Sequence, residues 1–366
     1  LMPVAEAPAA TLPKGVSPHS VTTWTTEQGL PQETVTAVLQ TRDEYLWIGT
    51  EGGLARFDGV KFTVFRTTNT PALASHSIHA LLEDRAGVLW IGTEAGVVCY
   101  RNGRFEAAGL AGHTVFSMCE DKEGTLWAAT DASVFRRRGA TFEPLPTDPA
   151  LPQSEARLLF ADREGRVWLG FTGTPGLVCA EDGKFTPFTA EGQLRREVRA
   201  IAQTPDGALW FGSSGGLMQW ANGYARHFDM SDGLAGRQVS RLHVDGDGVL
   251  WIASAGLQRI TAGEIVTTAS VANITAANLT CISHDREGNI WAGAARDGLL
   301  RIRQSASQII NLEARGADTG FRTVMQGPDG GVWLAQGRKG IVRLRADGEV
   351  VRLPTATADE ADEILG

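Results

Sequence analysis

A tryptophan recurs along this chain at a nearly constant interval of 37 to 43 residues. The eight positions are Trp47, Trp90, Trp127, Trp168, Trp210, Trp251, Trp291 and Trp333. Twelve residues before each of them stands an apolar residue, and these are Val35, Ile78, Val115, Ala156, Val198, Val239, Leu279 and Phe321. Because this offset never varies, insertions are confined to other parts of the unit, and the chain is a tandem repeat.

The first unit shows four short segments with strand character. Residues 34–40 are β-rich and predict the innermost strand, and Leu46–Thr50 and Gly53–Phe57 predict the second and third. Residues 61–65 predict the fourth. A turn at Asp43 and Glu44 separates the first two, and later units place an acidic residue followed by Gly there, which is hairpin chemistry. Four short antiparallel strands in roughly 41 residues make one blade of a propeller.

The position of the tryptophan within the unit predicts its role. A single four-stranded sheet exposes both faces, so it becomes stable only when it is stacked between neighbours. A tryptophan on the second strand is suited to filling the gap between two blades, and we expect all eight to be buried there rather than exposed as a platform for sugars. The sequence therefore predicts an all-β fold, a β-propeller of four-stranded antiparallel blades.

Charge and hydropathy exclude several classes of function. The formal net charge is −8, which argues against a general surface for nucleic acid or anionic membranes. No apolar run approaches the roughly 18 residues that a membrane-spanning helix needs.

The sequence also lacks the common signatures of metal sites and catalytic centres. Cys99, Cys119, Cys179 and Cys281 form no CxxC pair, and each falls in a predicted apolar strand, where a small buried side chain is expected. Residues 245–248 begin like a calcium loop, but Gly256 stands where the loop needs a Glu, so this stretch predicts a hairpin. No catalytic triad, HExxH motif or phosphate-binding Gly loop occurs. We expect no metal and no cofactor.

Residues 24–65 carry a pattern of short motifs that points to one family. A Gly-Leu-Pro loop at 29–31 is followed by Leu-Trp-Ile-Gly-Thr at Leu46–Thr50 and by Gly-Leu-x-Arg-Phe at Gly53–Phe57. The second unit repeats the central motif at Leu89–Thr93. This pattern resembles the two-component regulator propeller repeat, and the resemblance extends over residues 20–353. Later units replace parts of the Ile-Gly-Thr motif, at 128–130, 252–254 and 334–336.

The resemblance implies a non-catalytic sensor. Proteins with such repeats are usually periplasmic sensor regions of inner-membrane receptors. The output domain in the same parent chain is a histidine kinase or a diguanylate cyclase, and the full-length receptor is expected to be a dimer. The implied partner is a small-molecule or oligosaccharide ligand.

Propellers of this family typically have seven blades and often occur as tandem pairs. Eight units followed by a short strand-like stretch at 362–366 fit seven blades in residues 20–312 and an eighth unit in 313–366, the start of a second propeller. The alternative is a single eight-bladed ring, because residues 21–25 align with a fourth strand and could complete a blade. Residues 1–19 predict a leader or a disordered N-terminus, and we expect the chain to be a fragment of a longer protein.

The start of each innermost strand supplies the candidate ligand site. One position after the invariant apolar residue, or two in the sixth unit, the chain places a cation or an imidazole in five units, namely His79, Arg157, Arg199, Arg241 and Arg322. Equivalent positions meet at one mouth of a propeller axis, so their fields would add and favour an acidic ligand. The alternative is that these arginines pair with nearby acids such as Glu33, Glu155 and Glu197.

Loops on the same face are the other candidate for binding, because specificity usually resides in loops on a fixed scaffold. These loops include 27–33, 51–52, 172–176, 195–197 and 232–238. Two other functions remain open at this point. Streptogramin lyases are propeller enzymes, so a lyase acting on a small molecule is one alternative, and a protein-interaction scaffold is another.

Overall fold

The computed structural model describes residues 19–173, 176–190, 194, 196–261, 263–267 and 279–304, and four further strands between 323 and 353. The described residues fall into two compact units. Ser17–Ala306 contains seven four-stranded antiparallel sheets arranged as the blades of a ring, and the other unit contains one sheet of the same kind. The fold is a seven-bladed β-propeller with an eighth blade-like unit, as the sequence predicts.

Each blade of the ring takes its strands consecutively from the sequence, except for the last. The N-terminal strand is β1 (His19–Trp24). Blade 1 consists of β2 (Val35–Gln40), β3 (Leu46–Thr50), β4 (Gly53–Phe57) and β5 (Phe62–Phe65). Blade 2 consists of β6 (Ile78–Glu83), β7 (Leu89–Thr93), β8 (Gly96–Arg101) and β9 (Arg104–Gly109). Blade 3 consists of β10 (Val115–Glu120), β11 (Leu126–Thr130), β12 (Val134–Arg138) and β13 (Thr141–Pro144).

The remaining blades repeat this arrangement. Blade 4 consists of β14 (Ala156–Ala161), β15 (Val167–Phe171), β16 (Leu177–Glu181) and β17 (Lys184–Pro187). Blade 5 consists of β18 (Val198–Gln203), β19 (Leu209–Ser213), β20 (Gly216–Ala221) and β21 (Tyr224–Phe228). Blade 6 consists of β22 (Arg241–Val244), β23 (Leu250–Ser254), β24 (Gly256–Thr261) and β25 (Glu264–Thr267). Blade 7 contributes β26 (Leu279–His284), β27 (Ile290–Ala294) and β28 (Leu299–Gln304). The sheet of the second unit is β29 (Thr323–Gln326), β30 (Val332–Ala335), β31 (Ile341–Leu344) and β32 (Val350–Leu353).

The ring closes because its first strand completes its last blade. Strand β1 runs antiparallel to β28, from His19 opposite Gln304 to Trp24 opposite Leu299. Trp24 then stacks on Trp291 with ring centroids 5.3 Å apart, and β26 contacts the inner strand β2 of blade 1. The alternative of a single eight-bladed ring is therefore wrong, because the seventh unit uses the strand that was expected to close an eighth.

The repeat tryptophans fill the gaps between blades. In the ring all seven are between 1% and 5% exposed. Trp47 of blade 1 packs against Leu73, Ile78 and Ile91 of blade 2, and Trp291 of blade 7 packs against blade 1. Trp333 lies in the second unit and is partly buried. The prediction of tryptophans packed between blades is confirmed for the ring.

Each of the seven repeat tryptophans of the ring also makes a hydrogen bond that the sequence analysis missed. Its indole N–H donates to a side chain six residues earlier in the chain. The acceptor is Asp84, Asp121, Asp162, Asp245 or Asp285 at 2.7–2.8 Å, and Thr41 or Thr204 at 3.0–3.1 Å. The other carboxylate oxygen of Asp121 accepts the N–H groups of Glu123 and Thr125 at 3.1 and 2.8 Å. One side chain thus fixes both the first hairpin and the tryptophan beside it.

Two single turns of 3₁₀ helix, Thr26–Gln28 and Met230–Asp232, precede blades 1 and 6. Each turn ends at a glycine in the left-handed region, Gly29 with φ 106° and Gly233 with φ 98°. The following Leu30 and Leu234 are 4% and 3% exposed. The Gly-Leu pair that the two turns share therefore reverses the chain and inserts a leucine into the core.

We expect Asp121 to stabilise the protein by more than its two turn hydrogen bonds, because it also accepts a bond from Trp127. Replacing Asp121 by Ala removes the acceptor for a buried indole N–H and for two turn N–H groups, and should lower the free energy of unfolding by about 2–3 kcal/mol. Asp121→Thr keeps an acceptor of the kind that Thr41 provides for Trp47, and should cost clearly less. Urea unfolding of both variants measures the difference, and equal losses would contradict this role.

Candidate functional site

One rim of the ring is formed by the first residues of the inner strands, which we call the inner rim. Each inner strand contacts the inner strands of the two neighbouring blades, so equivalent residues meet around the axis. The inner rim consists of Thr36, His79, Phe116, Arg157, Arg199, Ser240 and Thr280. Four of the five candidate residues, His79, Arg157, Arg199 and Arg241, lie on it or one position after it. Arg322 lies outside the described residues.

A β-bulge shapes the inner rim in six of the seven blades. The register skips one residue between Val35 and Ala37 in blade 1, and equivalent shifts occur at His79, Phe116, Arg157, Arg199 and Thr280. The extra residue of a bulge has no partner opposite it, so its side chain is re-aimed, and bulges are frequent beside functional sites. The bulges free these side chains from the sheet ladder.

Part of the inner rim joins one blade to the next. Thr36 Oγ1 donates to the carbonyl of Ile78 at 2.5 Å, and Thr280 Oγ1 donates to the carbonyl of Val35. Arg241 Nε donates to the carbonyl of Thr280, and its Nη1 donates to that of Ser240 at 2.7 Å. The Arg241 guanidinium is therefore held by backbone carbonyls, and burial lowers its pKa, with the Arg199 charge acting in the same direction.

The blade 4 cation has an acidic partner. Arg157 donates from Nε and Nη2 to a carboxylate oxygen of Glu155 at 2.9 and 2.5 Å. Its guanidinium also lies 3.9 Å from the ring centroid of Phe116, and the His79 ring is 5.9 Å from the same ring on the other side. The structure thus brings His79 and Arg157 together across Phe116, with Arg157 paired as the alternative interpretation expects.

Arg199 differs from the other two arginines. It is exposed, and within the described part of the chain it makes no hydrogen bond and no ion pair. It is close enough to Arg241 for its charge to disfavour protonation there. Arg199 is the rim cation best placed to meet an anionic ligand.

His79 is predominantly neutral near pH 7. Burial lowers the pKa of its imidazole, and the positive charge of Arg157 acts in the same direction, whereas Glu94 and Glu51 oppose it. Its Nε2 lies 3.4 Å from the hydroxyl of Ser77. A neutral imidazole can donate one hydrogen bond and accept another, so His79 suits the recognition of hydroxyl groups.

Two cavities lie on the loop face that the sequence analysis singled out. A cavity of about 620 Å³ is lined by the turn Ser213 to Gly216 of blade 5 and by the loop that leads into blade 6. A second cavity of about 500 Å³ lies between the turn at Asp131 in blade 3 and the loop that leads into blade 4. Both volumes are in the range of small-molecule sites.

The opposite ends of the inner strands carry a pair of histidines. His243 Nε2 and His284 Nδ1 lie 2.7 Å apart, so one imidazole donates to the other across blades 6 and 7. Burial lowers the pKa of His243 to about 4, and the proximity of His284 adds to this shift. The sequence analysis missed this pair, although a spacing of 41 residues, one repeat period, was an available signal.

Metal and membrane features give two negative observations. Among the described residues, no group of three or more His, Cys, Asp and Glu side chains is arranged to hold a metal ion. In the same part of the chain, no helix has the length and apolar character that crossing a membrane requires.

Comparison with known families identifies the repeats. Residues 29–52, 72–95 and 109–132 match the family described as two component regulator propeller. The first three units of the chain therefore match the two-component regulator propeller repeat, which confirms the resemblance seen in their motifs. No curated protein sequence matches the chain.

Several solved structures share the architecture. The extracellular domain of a hybrid two-component system from B. thetaiotaomicron is 20% identical with a TM-score of 0.72, over 93% of this chain and 50% of that one. This chain thus spans about half the length of that domain. A catalytically inactive variant of virginiamycin B lyase from Staphylococcus aureus, solved with quinupristin, is 14% identical with a TM-score of 0.64, over 78% and 99% of the two chains.

A third structure is PorZ, a surface component of the type-IX secretion system of Porphyromonas gingivalis. It is 15% identical with a TM-score of 0.58, over 90% of this chain and 55% of that one. At these identities each likeness shows the fold alone.

The histidine pair predicts how stability depends on pH. Below pH 6.5 the unfolded chain protonates His243, but the folded chain resists protonation until about pH 4. The free energy of unfolding should therefore fall as the pH drops from 6.5 towards 4, with about 2 kcal/mol lost at pH 5 through this residue. Urea unfolding at pH 7.5 and pH 5 should show a smaller loss for His243→Gln, and an unchanged loss would exclude this mechanism.

Proposed function

We propose that this chain is the extracytoplasmic sensor module of a bacterial signal-transduction receptor and binds its ligand without catalysing a reaction. The observation that carries the proposal is the two-component regulator propeller repeat, found in three of the seven blades of a closed ring. The similar architecture of the extracellular domain of a hybrid two-component system supports it. In this proposal the module lies in the periplasm, and its parent chain is a dimeric receptor with a histidine kinase or diguanylate cyclase output.

The ligand that we propose for the inner rim is an acidic oligosaccharide. Exposed Arg199 supplies an unneutralised charge, and an arginine fork can hold a carboxylate with two hydrogen bonds. His79 adds an imidazole that can bond to hydroxyl groups, and Phe116 contacts both His79 and Arg157. Arg157 and Arg241 keep these groups in place through their bonds to Glu155 and to backbone carbonyls.

A propeller lyase is the second candidate function. The observation in its favour is the shared architecture with virginiamycin B lyase, which covers 99% of that chain. Half-buried His79, with its lowered pKa, is the inner-rim group that could accept a proton. Incubation with quinupristin, followed by mass spectrometry, tests this function. If the unmodified protein converts quinupristin to a product and His79→Ala does not, the lyase function replaces the sensor proposal.

Binding of matched glycans tests the sensor proposal. We expect an oligogalacturonide to bind more tightly than its neutral methyl ester, because only the free acid can accept charged hydrogen bonds. Arg199→Ala should weaken binding of the acidic ligand by about 10- to 100-fold, the value of a hydrogen bond to a charged group. Isothermal titration calorimetry gives both affinities.

The control is Arg104→Ala, which removes an exposed arginine from the outer hairpin of blade 2. This variant should bind the oligogalacturonide as the unmodified protein does. The inner rim would have only a structural role if the acid and the ester bind with equal affinity, or if Arg199→Ala leaves the affinity for the oligogalacturonide unchanged.

A further inference from the structure

A cavity on the loop face is lined by blade 5 and by the loops that lead into blades 5 and 6, and we call it the blade 5 cavity. Its volume is about 620 Å³. One wall is the turn between β19 and β20, a second contains Leu194 and Arg196, and a third is the loop from Asp229 to Arg237. Three separate segments thus enclose a space large enough for a small molecule.

The floor of the blade 5 cavity is apolar. Leu217 and Met218 are 1% and 2% exposed, and Leu194 is 8% exposed. Met230 lines the same cavity and is 61% exposed, which is unusual for a large apolar side chain in this structure. A thioether at the lip can adapt to the shape of an apolar ligand, because the side chain is flexible and polarizable. An occupant would therefore have an apolar body.

The mouth of the cavity is cationic. Arg196 and Arg237 come from two different loops, and both are exposed. Within the described part of the chain neither arginine makes a hydrogen bond or an ion pair. Asp229 is an acid that also lines the cavity, and its carboxylate already accepts hydrogen bonds from the N–H and Oγ of Ser231 at 2.7 and 2.6 Å. Those bonds lower the pKa of Asp229 most, and the Arg237 charge contributes least.

The walls that carry the two arginines are held in place. Buried Gln258 of blade 6 donates to the carbonyl of Gly233 and accepts from the N–H of Ala235, both at 2.8 Å. The stem of Arg196 packs over Gly215, where a Cβ would stand 3.1 Å from Arg196 Cγ. Because little of the wall must be ordered when a ligand binds, the entropic cost of binding is small.

The cavity between blades 3 and 4 gives a useful contrast. Its charged lining residues are acids, Asp131, Asp148 and Glu155. Asp131 pairs with His113 at 3.2 Å, and Glu155 pairs with Arg157. A cationic mouth over an apolar floor therefore distinguishes the blade 5 cavity from its counterpart.

We propose that the blade 5 cavity binds a small organic anion with an apolar body, such as an arylalkyl carboxylate, as a second ligand site separate from the inner rim. The carboxylate lies between Arg196 and Arg237, where each planar fork can donate two hydrogen bonds. The apolar body lies against Met230, whose side chain is 61% exposed, and displaces water from it. The site differs in chemistry from the inner rim, whose proposed ligand is a polar oligosaccharide.

Phenylacetate is the probe that tests this proposal, with phenylacetamide as its neutral isostere and galacturonate as an anion without an apolar body. We expect phenylacetate to bind at millimolar concentrations, at least tenfold more tightly than either comparison compound. Arg196→Ala and Arg237→Ala should each weaken phenylacetate about tenfold, and Arg104→Ala should leave it unchanged. Ligand-observed NMR titration measures all of these affinities.

Variants of the two sites separate this proposal from the sensor proposal. Arg199→Ala should leave phenylacetate binding unchanged while it weakens the oligogalacturonide. The proposal of a second site fails if phenylacetate does not bind, if phenylacetamide or galacturonate binds the Arg199→Ala variant as tightly as phenylacetate does, or if both the Arg196→Ala and Arg237→Ala variants bind phenylacetate as the unmodified protein does. None of these results bears on oligogalacturonide binding at the inner rim.

Discussion

The packing of one tryptophan between each pair of blades is the interaction on which the rest of the structure depends. A four-stranded blade has two faces to cover, and it can cover them only against its neighbours. The indole supplies the bulk for that contact, and its N–H is satisfied by an Asp or Thr six residues earlier, as in the bond from Trp127 to Asp121. The same carboxylate fixes the first hairpin, so the spacing between blades and the position of the inner strand are set together.

The inner rim follows from this arrangement. Once the inner strands are held around the axis, a bulge at the start of six of them turns one side chain per blade out of the ladder. These side chains have different roles. Thr36 and Thr280 bond to carbonyls of neighbouring inner strands, whereas Arg199 makes no hydrogen bond within the described part of the chain. Loops on the same face then add cavities of different chemistry without altering the ring.

The sequence alone predicts the fold in detail, because the repeat shows every strand several times over. The ranges Leu46–Thr50 and Gly53–Phe57 agree with the structure residue by residue. The number of blades in the ring was harder to predict, because it depends on which unit pairs with β1, a contact between residues that lie from 275 (Trp24 and Leu299) to 285 (His19 and Gln304) positions apart in the sequence. Local pattern carries no information about that choice.

The candidate site was predictable only in part. The repeat register places His79, Arg157, Arg199 and Arg241 near one rim, but it does not say which of them is neutralised. That depends on rotamers and on neighbouring blades: Arg157 turns to Glu155, and Arg241 turns to the carbonyl of Thr280. The sequence indicates loops 195–197 and 232–238 as binding candidates, but it does not predict the blade 5 cavity that they line, because the shape of the second loop is set by single contacts such as those of Gln258.

Every site described above presupposes a ring of seven blades closed by β1, and a cysteine pair tests that closure most directly. Ser20 lies opposite Arg303 in the closing blade. Ser20→Cys with Arg303→Cys should form a disulfide on mild oxidation and slow the unfolding of the ring. The corresponding residue of the eighth unit is Arg345, and Ser20→Cys with Arg345→Cys should not cross-link. A disulfide to position 345 and none to position 303 would contradict the seven-bladed ring.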